Sequence, residues 1–315
     1  MVKYLYTILL LLMIQPEPAR AWQVLVQPDA VQDIANDVTI IDLRPKQLYD
    51  QGHIQGSVNA PFALWHGPSE NPGAVLDDAR LTALLQSLGL TQHTAVVLTH
   101  HGQNATDFGA AAWAYWTLKS AGLTRIAILD GGQAAWIQTG LPLVTPPSAA
   151  TPSDAIFTLS DRWRSTEQDV SDASDGLSNM HLIDARPFEF LEGMNQHEHA
   201  LDAGTIAGSG NLEHSRWFLP NRQGFSPLTS VTDIVAFARE NGISDVAHQP
   251  IVTFCNTGRW SATNWFVLSE VIGLPDVRLY PEGMVGWTRS GRETVYMDEP
   301  PQVLPVALSA VMREH

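Results

Sequence analysis

Short apolar runs recur along the chain at strand length. Val38–Asp42 (VTIID), Ala95–Thr99 (AVVLT) and Ile126–Leu129 lie in the first half, and Met180–Asp184 (MHLID), Pro250–Phe254 (PIVTF) and Val277–Tyr280 in the second. Such runs, bounded by polar or glycine-containing segments, predict strands buried on both faces. Between the last two runs of each half lies a longer stretch rich in Ala, Trp and Leu, which predicts a helix. Gly122-Leu123 closes one such stretch and Gly273-Leu274 the other, as C-terminal glycines commonly do. Strands alternating with helices predict an α/β architecture with mostly parallel sheets.

The two halves are copies of one pattern. The first strand of each ends in Asp-x-Arg-Pro, as Asp42-Leu43-Arg44-Pro45 and Asp184-Ala185-Arg186-Pro187. Gly52-His53-Ile54-Gln55-Gly56-Ser57 is answered by Gly204-Thr205-Ile206-Ala207-Gly208-Ser209, and Gly132…Trp136 by Gly283…Trp287. The offset between copies is 142 at the aspartates and 152 at the glycine motif, which places an insertion in the second copy near 193–203. It carries His197 and His199, a spacing open to metal but without a third ligand, and reads as a solvated loop.

These boundaries divide the chain into residues 22–142, a Pro/Ser/Ala-rich linker at 143–155, a second domain at 156–295 and a tail at 296–315. Residues 1–21 read as a secretory signal peptide: Lys3, an apolar run from Tyr4 to Ile14, helix-breaking Pro16 and Pro18, and the small-x-small triplet Ala19-Arg20-Ala21. The run is too short to span a bilayer. Cleavage at Ala21/Trp22 leaves a periplasmic or secreted protein with no membrane attachment.

Composition narrows the chemistry. Apolar residues make up 44% of the chain with 10 Trp, enough for a sizeable core, and the net charge of −15 disfavours nucleic acid as a partner. A single cysteine, Cys255, excludes an internal disulfide, a zinc ribbon and a C-x-x-C redox pair. It stands at the carboxyl end of an apolar strand and opens the segment Cys255-Asn256-Thr257-Gly258-Arg259-Trp260-Ser261, which reads as a loop before a helix from Ala262. Ligands bind at such strand ends in open α/β sheets. Loop N–H groups, the helix N-terminus and Arg259 all favour a thiolate over a thiol. The plainer alternative is an inert core cysteine, against which the polar, Gly-containing surroundings weigh.

These residues together resemble the tandem-domain rhodanese sulfurtransferases. The resemblance rests on the paired Asp-x-Arg motifs, the Gly52–Ser57 motif, the Cys255 loop and Gly283-x-x-x-Trp287, and covers nearly all of 22–295. It implies two tandem rhodanese-like α/β domains, each a mostly parallel sheet flanked by helices, with the catalytic cysteine in the second alone. Matching Val97 with Val252 sets His100 opposite Cys255. The implied reaction passes a sulfane sulfur from thiosulfate or 3-mercaptopyruvate through a Cys255 persulfide to cyanide, a small thiol or a protein thiol, with no metal or organic cofactor. Asn256, Thr257, Gly258, Trp260 and Ser261 would form the loop and pocket, and Arg259 would dock an anionic donor. Asp184 and Arg186 would brace the loop, while His100 and His101 would shape the cleft or supply a base. One positive charge in the loop slightly favours thiosulfate, and Thr205 departs from the histidine of the glycine motif.

Two other readings compete. One is a persulfide carrier or binding module without turnover. The other is a cysteine phosphatase of related fold, which would place Arg six positions after Cys, where this chain has Ser261.

Overall fold

A computed structural model describes residues 22–219, 226–243 and 249–303. Residues 1–21, read from the sequence as a signal peptide, and the end of the tail lie outside the described residues. Each half forms a parallel sheet. In the first half, β1 (Leu25–Val26), β2 (Thr39–Asp42), β3 (Val58–Asn59), β4 (Val96–Thr99) and β5 (Ile126–Leu129) run in the order β1-β5-β4-β2-β3. In the second, β6 (His181–Asp184), β7 (Gly210–Asn211), β8 (Ile251–Phe254) and β9 (Val277–Leu279) run β7-β6-β8-β9. The four shared strands have the same order, and the register repeats as well: Asp42 pairs with Thr99, and Asp184 with Phe254. β4, β5 and β8 are buried at every position, as strands covered by helices on both faces must be.

The helices of the first half are α1 (Pro28–Ile34), α2 (Lys46–Gln51), α3 (Asp78–Ser87), α4 (Ala105–Ser120) and α5 (Gly132–Gln138). Those of the second are α6 (Glu167–Ser174), α7 (Phe188–Leu191), α8 (Val231–Glu240), α9 (Arg259–Phe266) and α10 (Gly283–Arg289). Short 3-10 turns at Phe62–Leu64 and His214–Trp217 follow β3 and β7. The residues read as a linker run along the first domain: Val144 forms an antiparallel bridge with His53, and Ser153 donates to the Leu90 carbonyl.

The two domains meet along α4 and α9. Helix α4 is buried almost all round, with Phe108 through Leu118 and Ser120 withdrawn from solvent, so it has no solvent face to advertise in its periodicity. It is covered by its own sheet on one side and by α9 on the other. Gly109 makes the approach possible, since a Cβ there would lie 2.5 Å from the Arg259 carbonyl oxygen. Phe108 and Tyr115 set their rings edge-on to Phe266 at centroid distances of 5.5 and 5.0 Å. One apolar cluster consequently runs from Ile41 and Leu98 of the first sheet through α4 to Trp265, Phe266 and Leu279 of the second domain. Buried indoles keep their hydrogen bonds: Trp113 donates to the Trp65 carbonyl, Trp116 to Trp163 and Trp265 to Val277.

At the far end of this interface Lys119 pairs with Glu270 at 2.6 Å, and Tyr115 Oη donates to the same carboxylate at 2.8 Å. Glu270 lies in a π-helical turn, Val267–Val271, that extends α9. Burial and the Glu270 charge both raise the Tyr115 pKa, which keeps the phenol protonated and donating. Removing the carboxylate leaves a partly buried ammonium unpaired. Glu270→Leu is therefore expected to destabilise the protein by about 2 kcal/mol, discounted for the partial exposure of Lys119. Urea denaturation checks this, and an unchanged midpoint would show that the pair contributes nothing.

Candidate functional site

Cys255 follows the last residue of β8 and is 2% exposed. Its backbone is held from the neighbouring crossover: the Met284 N–H donates to the Cys255 carbonyl at 2.8 Å, and the Val285 N–H to Asn256 at 3.1 Å. Gly283 permits this, at φ +55°, because a Cβ there would lie 2.3 Å from the Cys255 oxygen. The loop is shorter than its sequence suggests. Helix α9 begins at Arg259, so Arg259, Trp260 and Ser261 occupy its first turn instead of the loop. Gly258 caps that helix at φ +83°, and its missing side chain makes room for Trp113 of the first domain. The Ser261 hydroxyl donates back to the Gly258 carbonyl, and Thr253 Oγ1 donates to the Ser261 carbonyl. Cys255 thus sits between a strand end and a helix N-terminus, where first-turn N–H groups lack intrahelical acceptors.

The Asp-x-Arg motif braces this loop directly. Arg186 donates through Nε and Nη2 to Asp184 at 2.6–3.1 Å, through Nη2 to the Gly204 carbonyl, and through Nη1 to Asn256 Oδ1 at 3.2 Å. Asp184 and Arg186 are both buried. Thr205, where the first copy has His53, donates its hydroxyl to Asp184 at 2.7 Å. His53 instead stacks on Tyr49 at 3.7 Å and places its ring nitrogens near the Tyr49 and Pro146 carbonyls. The substitution exchanges a ring that secures the chain after α5 for a hydroxyl that adds to the carboxylate's partners.

Trp260 links three elements. It stacks on His214 at 4.7 Å and 7°, meets the Phe190 ring edge at 5.9 Å, and donates its indole N–H to Thr106 of the first domain at 3.1 Å. His214 escapes the motif reading, although it occupies the position that Phe62 holds in the first copy, three residues after Asn211 and Asn59 respectively. Burial lowers its pKa to about 4, with its contact to the Ala185 carbonyl opposing and the Arg259 charge reinforcing the shift.

His100 and His101 line a cavity of about 430 Å3 at the strand ends of the first domain. His100 is 2% exposed, and neither of its ring nitrogens has a hydrogen-bond partner of normal geometry. Burial, then the Arg259 charge, lowers its pKa to about 3, which makes it a poor general base. Its backbone repeats the Cys255 arrangement: Gln133 N–H donates to the His100 carbonyl and Ala134 N–H to His101. Arg259 points into this cavity, its guanidinium 5.0 Å from the centre of the Phe62 ring. Desolvation lowers its pKa, opposed by the negative charges available at Asp107 and Cys255. Among the described residues no group of three or more His, Cys, Asp or Glu side chains could hold a metal. His197 and His199 lie in an irregular loop, as read from the sequence.

With this geometry in view, comparison with known proteins is direct. A Rhodanese-like domain model matches twice, at residues 27–139 and 166–290, so the chain belongs to the rhodanese family, in tandem-domain form. At the level of the family it is a sulfurtransferase. The chain is 27% identical to "Sulfur carrier protein TtuD" of Thermus thermophilus over 84% of its own length and 93% of that protein. It is also 27% identical to a thiosulfate sulfurtransferase of Corynebacterium glutamicum, covering 76% and 78% of the two chains. Among solved structures, a 3-mercaptopyruvate sulfotransferase, SseA of Escherichia coli, superposes with a TM-score of 0.68 at 23% identity over 82% of this chain and 98% of that one. Wild-type EanB superposes with a TM-score of 0.75 at 17% identity, over 88% of this chain and 70% of that one. These likenesses concern the fold.

Two expectations follow from the site. Gly258→Ala should destabilise the protein and disorder the loop, because the added methyl meets Trp113 and the backbone is left-handed; about 2 kcal/mol or more is expected from strain and clash combined, readable as a shift in Tm. For pH, both buried histidines have folded pKa values below the unfolded value of roughly 6.5. The unfolded state therefore binds more protons, and stability should fall as pH drops from about 6.5 towards 4. Denaturation midpoints across that range check the sign, and His100→Leu should flatten the slope.

Proposed function

We propose that Cys255 is the nucleophile of a two-step sulfur transfer. The observation that carries this reading is its place: the single thiol of the chain stands at the end of the central strand of one rhodanese domain, and the matching position in the other holds His100. In the first step the Cys255 thiolate attacks the outer sulfur of thiosulfate. A Cys255 S–S bond forms, the S–S bond of thiosulfate breaks, and its electron pair leaves with sulfite. In the second step cyanide or a thiolate attacks the terminal sulfur, and the thiolate of Cys255 is restored. With 3-mercaptopyruvate a C–S bond breaks instead, and the pyruvate enolate takes a proton.

Within this reading, Asn256, Thr257 and Gly258 form the cradle whose N–H groups hold the persulfide sulfur. Arg259 contributes positive charge towards an anionic donor, which favours thiosulfate. Asp184 and Arg186 position the cradle through Asn256, and Trp260 and Ser261 fix the first turn of α9. His100 and His101 shape the adjoining crevice. No metal or organic cofactor enters the steps. Residues 1–21 would direct export, leaving the domains in the periplasm or outside the cell.

The likeness to a protein named as a sulfur carrier supports a second reading, in which the persulfide is handed to a protein thiol. Intact mass after thiosulfate treatment tests both. An adduct of about 32 Da, absent from Cys255→Ser, is expected; no adduct with any sulfane donor would overturn both. Rapid discharge by cyanide supports turnover, whereas discharge only to a protein thiol supports the carrier. In kcat/KM, Arg259→Gln is expected to cost about tenfold with thiosulfate, and an unchanged value would remove Arg259 from donor docking.

A further inference from the structure

The duplication leaves the first domain with a strand-end crevice of its own, and its walls are not those of an idle copy. The cavity holds about 430 Å3, within the range of small-molecule pockets, roughly 300–1,000 Å3. It opens between the ends of β2, β3 and β4, where open α/β sheets bind ligands, and Arg259 of the second domain closes it.

Two guanidinium groups in this wall have donors without a protein partner among the described residues. Arg259 is mostly withdrawn from solvent, yet it makes no hydrogen bond or ion pair among the described residues, and its Nε is fully buried without an acceptor. Its guanidinium lies over the Phe62 ring. Arg44 satisfies Asp42 and the Gly52 carbonyl through Nε and Nη2. Its Nη1 has no partner among the described residues, whereas Nη1 of the matching Arg186 donates to Asn256. The first copy has His101 at the Asn256 position, and no hydrogen bond joins it to Arg44 among the described residues. Arg44 Nη1 and the Nη atoms of Arg259 are not among the buried unpartnered atoms, so they are open to a ligand in the cavity, and a planar oxyanion satisfies such forked donors best.

The charges agree. Asp42 offsets Arg44. Asp107, the acid in the cavity wall, lies in the first turn of α4, accepts from the Gln103 N–H, and makes no ion pair with Arg259; the helix N-terminus favours its charge. Among the described residues no ion pair takes up the charge of Arg259, although Asp107 and Cys255 lie near enough to act on it. Phe62 and the neighbouring apolar residues supply a surface for a non-polar body.

We propose that this crevice is a second binding pocket, for a small organic anion: a carboxylate or sulfonate seated between Arg44 and Arg259, with its apolar part against Phe62. Arg259 is shared with the donor docking proposed above, so the cavity-filling variants and Cys255→Ser, rather than Arg259→Gln, separate occupancy of this pocket from the persulfide chemistry.

Calorimetric titration of the full chain with benzoate and with benzenesulfonate tests this. Saturable one-to-one binding is expected, unchanged within about twofold in Cys255→Ser. Ala63→Trp, which fills the cavity from its rim, and Arg259→Gln should each weaken it at least about tenfold. Ala110→Leu fills the same space from α4 and serves if Ala63→Trp fails to fold by circular dichroism. Ala63→Trp should still acquire the thiosulfate adduct on Cys255. Absence of saturable binding by both probes, or binding indifferent to the filling variants, overturns the proposal.

Discussion

The site hangs on a buried ion pair made twice. In each copy an aspartate closes the first shared strand, and the arginine two residues later folds back to it with two nitrogens. Burying both charges is expensive, and their attraction offsets that cost only because the geometry is forked and the remaining valences are used. Here they are used structurally: the same guanidinium reaches a glycine carbonyl in the next turn, Gly52 or Gly204. The pair therefore fastens the strand end to the turn beyond it. In the second copy it reaches further, to Asn256, and so fixes the residue beside the thiol. Bracing at one remove fixes the loop through Asn256, next to Cys255 in the chain.

The fold was legible in the sequence because its strands are buried on both faces and its motifs occur twice. The six apolar runs became strands with ends shifted by about one residue, within ordinary boundary scatter. β1 left no pattern to read, since two residues, Leu25 and Val26, carry no periodicity. Helix α9 starts three residues earlier than its composition indicates, because Gly258 in a left-handed conformation lets the helix begin directly after the cradle.

The site was legible in part. Cys255, Asn256 and the Asp184–Arg186 pair could be named from motif and repeat. The direction of Arg259 could not, because it depends on α4 and α9 packing closely enough at Gly109 for the side chain to cross into the other domain. His214 and its stack on Trp260 were hidden for a similar reason: aromatic contact between residues distant in sequence is a property of the assembled fold. The copy-to-copy comparison contained the signal, since His214 stands where Phe62 does. The roles of His53 and Thr205 likewise diverge only when their different partners are seen.

The apolar cluster that crosses from one sheet to the other has a consequence for the chain's handling. Each half encloses a smaller core of its own on one face of its sheet, but the larger core is shared: α4 and α9 each finish it for the neighbour. A fragment carrying Cys255 alone would expose the face of α9 that Phe108 and Tyr115 cover, and a fragment lacking it would expose α4 along most of its length. The half with no thiol is therefore not a dispensable passenger. Each domain serves as the other's wall, and the two share one continuous apolar interior.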